Sequence, residues 1–388
     1  MKSVGFIKNW VKVLCQSMFI SGIVIMSVIP FSCKVSTEGV QIVQGDILPP
    51  VLDEVNVLDS KSIQLIFSEQ VTVKDWFVSP VAEDDGVHLE QQGSVETISV
   101  FVDIFTNQRN AVDATVDYDE SGKIVTFVFA EDMVVGQMYE LCGTVEDTAG
   151  NSITFAVPFS GFNSRVPLLM MTELKTSTAS QSKSEKENDF YRTEFVEILA
   201  LSDGNLAGLE LVSAYDGEER KYVFPAIDVK KGEIFVVHLR TRGVGCVSEE
   251  GEDLSLATTS YTNPNVRDLW CTNDKTCFGD KTDIVFIRNS GDSKILDVVM
   301  YRDSEVTEWN EKFNEFLTVV DDCGIYEDSS INNASDASSL TTTKTISRVG
   351  MNEILLKVNN GNELGEVYKS GVNSWIVTKA TPGEIVQE

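Results

Sequence analysis

Few residues of this 388-residue chain are of types that do chemistry, and their spacing narrows the field further. There are two histidines, His88 and His238. Neither sits in a His-Glu-x-x-His pattern, and two imidazoles cannot complete a three-histidine zinc shell without carboxylates. His88 follows Asp84-Asp85-Gly86 in an expected loop, and His238 ends a strand-like run where it should face solvent or a neighbouring strand. No Gly-x-Ser-x-Gly elbow, phosphate loop or dinucleotide fingerprint is present. Asp117, Asp119, Ser121 and Gly122 copy the opening of a calcium loop. Val128 stands where the closing bidentate Glu belongs, so a hairpin turn is the expectation. Acidic residues at expected loop ends (Asp84, Asp85, Glu249, Glu250, Glu252, Asp253, Asp321, Asp322) offer oxygen ligands in no spacing that demands a cation. The reading is therefore no catalytic residue, no metal and no cofactor. Two carboxylates about 5–9 Å apart would still suffice to hydrolyse a glycosidic bond, which keeps a hydrolase using loop carboxylates as the alternative.

Cysteine is the remaining reactive type. Cys142 lies in a strand-like run and reads as a small buried hydrophobe. Cys246, Cys271, Cys277 and Cys323 cluster in the second half, where four thiols of an exported chain suggest two disulfides among three possible connectivities. The pairing chosen is Cys271–Cys277 as a short loop and Cys246–Cys323 as a longer tie. A four-thiolate zinc site is the rival, although no pair has the separation that structural zinc favours.

The export premise rests on the first 33 residues. Lys2, Lys8 and Lys12 make a basic start, an apolar run extends from Phe19 to Phe31, and Ser32 precedes Cys33. A charged head, an apolar middle and a small residue before the cut describe a secretory signal. With the cysteine it resembles a bacterial lipoprotein signal of the loose spirochaete kind, with Ile29 in the aliphatic role and Pro30 where the aliphatic residue usually stands. That resemblance implies acylation of Cys33 as the new N-terminus; an ordinary signal peptide or an uncleaved anchor helix are the alternatives. Removing residues 1–32 leaves 28 basic against 60 acidic side chains. Such a charge repels nucleic-acid phosphates and anionic membrane surfaces, so a nucleic-acid partner is not expected. No later apolar run is long enough to span a bilayer.

The elements that must carry these residues are strands. After a polar tether over 33–47, short runs with period-two patterning begin: in Ser62–Ser68, Ile63, Leu65 and Phe67 share one face. Val51–Leu58, Val71–Val78, Thr97–Ile104, Lys123–Ala130, Met138–Thr144 and Ile153–Phe159 continue the series, and about seven strands in about 110 residues indicate a β-sandwich. Turn chemistry at Asp117–Gly122 and Asp147–Asn151 separates them. Pro49-Pro50-Val51, the Ile63–Val71 strand with its Phe-Ser-Glu, and the Asp147-Thr-Ala-Gly-Asn151 end come in the order of bacterial Ig-like domains, which the span 48–160 resembles.

A connector over Phe159–Val166 leads to further strands at Leu168–Leu174, Glu194–Ala200, Tyr222–Ile227, Glu233–Leu239, Asp283–Arg288 and Lys294–Tyr301. The last two flank Asn289-Ser-Gly-Asp292, a turn expected to use Gly for positive φ. Glu173, Glu194-Phe-Val-Glu-Ile198, the Leu206/Gly208/Leu211 step and Ser374-Trp375 with Ala380-Thr-Pro-Gly383 resemble the lamin-tail domain. The resemblance covers 167–385 at roughly twice the usual length, with insertions at 175–188, 241–280 and 303–345. Glu173 and Glu197 match acidic positions of that pattern and are expected to hydrogen-bond at strand ends. Val306, Trp309, Phe313, Phe316, Leu317 and Val320 predict one amphipathic helix lying over the sandwich, and Asp328–Thr343 a mobile polar loop.

The fold expected is all-β: two consecutive Ig-like sandwiches, the second enlarged by loops and one short helix. The resemblances imply a lipid-anchored protein of the bacterial envelope, outside the cytoplasm, at the outer membrane or cell surface. Its expected partners are the membrane, through the N-terminal lipid, and an envelope protein or glycan. Its function is read as non-enzymatic binding or scaffolding, with a purely structural spacer beside the hydrolase as an alternative.

Overall fold

A computed structural model describes residues 46–81, 112–188, 192–239, 243–259, 261–271, 275–361 and 368–385, together with a short strand pair at Val35–Ser36 and Gly39–Val40. Cys33, His88, Asp84, Asp85 and the expected strand Thr97–Ile104 lie outside the described residues. Among these residues the chain is mostly β-strand, as expected. No described helix is long and apolar enough to cross a membrane.

Seven strands among the described residues form the first sandwich: β1 (Leu52–Asp59), β2 (Ser62–Phe67), β3 (Val71–Pro80), β4 (Ala114–Tyr118), β5 (Ile124–Phe129), β6 (Met138–Asp147) and β7 (Ser152–Ser160). They pair antiparallel as β1-β2-β5-β4 and β3-β6-β7. Alternation sends Ile63, Leu65 and Phe67 of β2 and Val125, Phe127 and Phe129 of β5 into the core between the sheets, against Leu141, Val145 and Phe155. Cys142 alternates with Leu141 to the other face of β6, where it is buried, and desolvation pushes its thiol up to about 12. The calcium-like sequence is the hairpin β4–β5, with Asp119 accepting from the Ser121 and Ile124 amides and Gly122 at φ +66°. Pro158 sits on β7, an edge strand, opposite Glu140 of β6.

The second sandwich is larger. Its strands are β8 (Leu169–Lys175), β9 (Glu194–Ala200), β10 (Leu209–Ser213), β11 (Gly217–Val223), β12 (Ile234–Leu239), β13 (Arg267–Trp270), β14 (Asp283–Asn289), β15 (Ile295–Arg302), β16 (Ser335–Asp336), β17 (Lys344–Arg348) and β18 (Trp375–Lys379). A six-stranded sheet, β13-β12-β9-β8-β17-β18, faces a five-stranded one, β11-β10-β14-β15-β16. The core between them includes Val196, Ile198, Phe235, Val237, Val285 and Tyr301. Helix α1 (Lys183–Glu187) occupies the long 175–188 loop, held by a Ser182/Glu185 capping box.

Two longer helices, not one, enlarge this sandwich. Helix α2 (Asn314–Cys323), entered through a 3-10 turn at Glu311–Phe313, is the expected amphipathic helix. It lays Phe313, Phe316 and Val320 on the outer face of the five-stranded sheet, over Phe286, Ile284 and Val298, and stops at Gly324 with φ +69°. Helix α3 (Met351–Asn359) buries Met351, Ile354 and Val358 against Met170 and Leu199 on the outer face of the six-stranded sheet. Four layers result, so both sheets are covered on both faces. That is why their strands read as nearly continuous apolar runs rather than as alternation.

Three other expectations change. Residues 328–343 are built in rather than mobile: Ser330 caps a 3-10 turn at Ile331–Asn333, β16 pairs parallel with β15, and Ala334, Ala337 and Leu340 are buried. In the 289–294 turn the positive φ falls on Ser293, at +57°, and not on Gly291. Finally, Cys142, Cys246, Cys271, Cys277 and Cys323 form no disulfide. Cys323, the last residue of α2, packs on the outer side of the five-stranded sheet, whereas Cys271 and Cys277 belong to the core on its inner side and Cys246 to the loop after β12. A full sheet therefore separates Cys323 from Cys271 and Cys277, so these three cannot meet at a common zinc.

Candidate functional site

The polar side chains that sequence reasoning singled out converge on the outer face of the six-stranded sheet. On β9, Val196, Ile198 and Ala200 point to the inter-sheet core, which leaves Phe195, Glu197 and Leu199 on the outer face. On β8 the register slips between Met171 and Glu173, so that Glu173 falls directly opposite Glu197. The slip is a β-bulge, a device that re-aims side chains. Both glutamates are only 1% exposed.

Their four carboxylate oxygens each accept from the chain itself. Glu197 takes the Thr172 hydroxyl at 2.5 Å and the Gly383 N–H at 2.7 Å. Glu173 takes the Thr345 hydroxyl at 2.5 Å and the Thr381 N–H at 3.0 Å on Oε1, and the Thr381 hydroxyl at 3.3 Å on Oε2. The segment 381–385 thus crosses the sheet as a strap. Asn263 donates to the Pro382 carbonyl, and Gly383, at φ +81°, fits so tightly that a Cβ would meet Asn263 and Val266 below 3.0 Å. Ile385 completes the strap by packing on the α3 cluster. Desolvation, together with the neighbouring Glu173 charge, raises Glu197 to about 7, and desolvation also raises Glu173.

Beside this pair, His238 on β12 is fully buried and faces the neighbouring strand β13, the second of the two surroundings expected for it, and not solvent. It stacks on Trp270 at 3.9 Å and binds Asp268 through Nε2 at 2.5 Å, while Thr193 Oγ1 lies 3.4 Å from Nδ1. Burial lowers its pKa despite the carboxylate. The Asp268 amide donates to buried Glu249, which also accepts from Ala257 and so folds the 249–257 loop over the site. Thr193, His238 and Asp268 are in the order of a nucleophile, base and orienting acid, yet Thr193 also donates to the backbone carbonyl of Glu194 at 2.6 Å. The arrangement welds strands β9, β12 and β13.

Further along, Arg348 at the end of β17 grips both oxygens of Asp297 on β15, at 2.8 and 3.0 Å. It also donates to the Met171 carbonyl and to Ser370, and lies over the Trp375 ring. This ion pair joins the two sheets of the sandwich.

Hard-cation chemistry is concentrated elsewhere. Asp46, Glu69 and Asp147 place one carboxylate oxygen each within 4.8 Å of one another, at the start of the first sandwich. Among the described residues no group of cysteines or histidines does the same. Asp147 is already held by the Ala149 and Asn151 amides, the turn expected from the sequence.

A cleft of about 720 Å³ opens where the sandwiches meet. Val55, Val57, Val157 and Phe162 line it from the first, Gly208 and Asn289 from the second. The junction itself is pinned. Asn163 donates to the carbonyls of Asn205 and Ala207 at 2.6 and 2.9 Å, and Arg165 pairs with Asp228 at 2.8 Å. Gly136 lies against Ala207 and Ala226 so closely that a Cβ there would sit 2.6 Å from Ala226.

Comparison with known proteins places this architecture. A family model described as "TP_1001_2nd: protein second domain" matches residues 167–377, the larger sandwich up to Val377 within β18. The chain belongs to that family. It is also similar to an "Uncharacterized protein" of Treponema pallidum (strain Nichols), 25% identical over 250 residues, which are 62% of this chain and 60% of that protein. The chain thus spans less than two thirds of the curated relative it matches. Among solved structures, the N-terminal part of the bacterial S-layer protein SbsC is 15% identical with a TM-score of 0.23, over 66% of this chain and 44% of that one. SbsC domains 1–6 give 12% and 0.22, over 68% and 42%. Scores this low establish no shared fold.

Sequence reasoning found Glu173 and Glu197 but not what holds them. Thr345 carries no pattern of its own, and Thr381, although part of the Ala380-Thr-Pro-Gly383 sequence, gives no sign there of what it donates to. Asp297 and Asp268 did leave a signal: each is a carboxylate inside an otherwise apolar strand run, Ile295–Arg302 or Arg267–Trp270, where burial obliges a partner.

Proposed function

We propose that this chain is a lipid-anchored envelope protein that acts outside the cytoplasm as a non-enzymatic binding or scaffold protein. In this reading an acylated Cys33 and the tether to residue 47 hold the two sandwiches at a membrane, the first of bacterial Ig-like and the second of lamin-tail type. The observation that carries the binding role is the apolar cleft at a junction pinned by Asn163 and Arg165. Sites between domains with an apolar lining and a few convergent polar groups are where ligands are held, and the partner class is an envelope protein or glycan. The similarity to a spirochaete protein supports an organism in which such lipoproteins occur.

The hydrolase alternative would draw on Glu173 and Glu197, which do stand side by side. Their oxygens are all committed to donors of the chain itself, which favours a structural role. The test is capture from envelope extract with the mature chain and with Leu58→Asp, a change at the half-exposed mouth of the cleft. A partner held by the wild type and lost by the variant is the expected result. Equal capture by both refutes the cleft. For the anchor, Cys33→Ala should move the protein from the detergent phase to the aqueous phase, and continued partitioning with detergent refutes acylation.

A further inference from the structure

We propose that residues 381–385 are a proton-operated strap, held firmly across the six-stranded sheet while Glu173 and Glu197 share one proton and loosened when both are charged. The geometry is specific. The glutamates are cross-strand partners under the strap, and the strap contributes the Thr381 and Gly383 amides to them. A proton on Glu197 has a place to go without any heavy atom moving. Thr172 Oγ1 is within reach of both Glu197 Oε1, at 2.5 Å, and the Glu197 carbonyl, at 3.2 Å. Its hydroxyl can turn to donate to the carbonyl and accept from a protonated Oε1.

The surrounding charges set which carboxyl holds the proton. Lys175, on the same strand as Glu173, stabilises that carboxylate, and its ammonium is engaged by the carbonyls of Ser177 and Thr342. Glu194 on β9 acts on Lys175, and the strap's Glu384 offers its backbone amide to Glu197. From β17 the pair meets the neutral Thr345; Arg348 of that strand is committed to Asp297. From β12, His238 is committed to Asp268. Among the described residues Glu197 therefore faces a carboxylate and no cation, and it takes the proton. Desolvation is the largest influence on both groups, and releasing the strap readmits water, so the open form binds the proton less tightly than the closed one.

Linkage gives the sign and the window. With an ordinary carboxyl of 4.5 when open and one of about 7 when closed, the open population rises up to about tenfold per pH unit between these values and levels off above them. The measurement is hydrogen exchange of the 381–385 amides on the full chain from pH 4.5 to 8, corrected for the intrinsic chemical rate. Wild type should lose protection about 100-fold or more across that range. Glu197→Gln, whose amide can donate to Thr172 while its oxygen still accepts from Gly383, should keep the low-pH protection throughout. Ile385→Ala removes the strap's packing on the α3 cluster without touching the pair, and should open the strap more at every pH with the slope retained. A flat wild-type profile, or an unchanged slope in Glu197→Gln, overturns the proposal. None of these readouts depends on the cleft or on the anchor.

Discussion

Replacing Arg348 by Met should destabilise the larger sandwich by about 3–5 kcal/mol, the cost typical of stranding one partner of a buried ion pair. Asp297 and the Arg348 side chain are essentially inaccessible to solvent. Without the guanidinium, Asp297 would retain only the Met171 and Val298 amides, at 2.7 and 2.9 Å, too few donors for a buried charge. Met keeps the apolar stem against Trp375, so the loss reports charge rather than volume. Urea unfolding is the assay, and with slopes of about 1–3 kcal/mol per M the midpoint should fall by at least about 1 M. Two controls separate the causes. The double variant Asp297→Leu/Arg348→Met should recover most of the loss, because no charge is left uncompensated. In Arg348→Met alone, the stranded Asp297 has a raised folded pKa, so its deficit should shrink as pH falls and protonation becomes available. A cost under 1 kcal/mol, or a double variant as weak as the sum of the singles, would refute the reasoning.

The strap pair makes a stability prediction distinct from local exchange. A Glu197 raised from 4.5 to about 7 contributes stability that is complete below 4.5 and lost by about pH 7. Glu197→Gln should therefore gain up to about 3 kcal/mol over wild type at pH 8 and nothing at pH 4.5, read from urea midpoints at both pH values. Phe316→Ala empties the space between α2 and Phe286, 5.9 Å from its ring centre, and should cost about 3–5 kcal/mol by the same assay. Gly136→Val cannot fit against Ala207 and Ala226, so it should part the sandwiches, seen as a larger radius of gyration by X-ray scattering while circular dichroism stays unchanged.

Much of the architecture was legible because period-two patterning is a local signal. Ser62–Phe67 follows from that alternation, Ile234–Leu239 from a short continuous apolar run, and α2 from its helical stripe. What escaped depends on remote partners. Strand β13 lies in what reads as an insertion and exists because β12 offers it a parallel edge. Strand β17, Lys344-Thr-Ile-Ser-Arg348, has little hydrophobic alternation to announce it and is stabilised by β8 on one side and β18 on the other. Residues 328–343 look like loop by composition, yet Ser330, Asp328 and Asp336 spend their polarity on the local backbone and free Ala334, Ala337 and Leu340 to be buried. The glutamate pair was visible as two acids, but its proximity required a bulge with no local signature, and its closure a strap about 200 residues away whose Thr381-Pro-Gly383 sequence announces a turn and not the acids beneath it.

Pro158 has a consequence for how copies of this protein coexist. In the β6–β7 ladder the bonds fall on its neighbours, so the donor that proline lacks is one that would have pointed outward from the sheet. An incoming strand would find a gap in the row it needs, much as a missing tooth stops a zip. Tethered to a surface as proposed, such chains would be crowded side by side, and this margin lets neighbours touch without fusing into a continuous sheet.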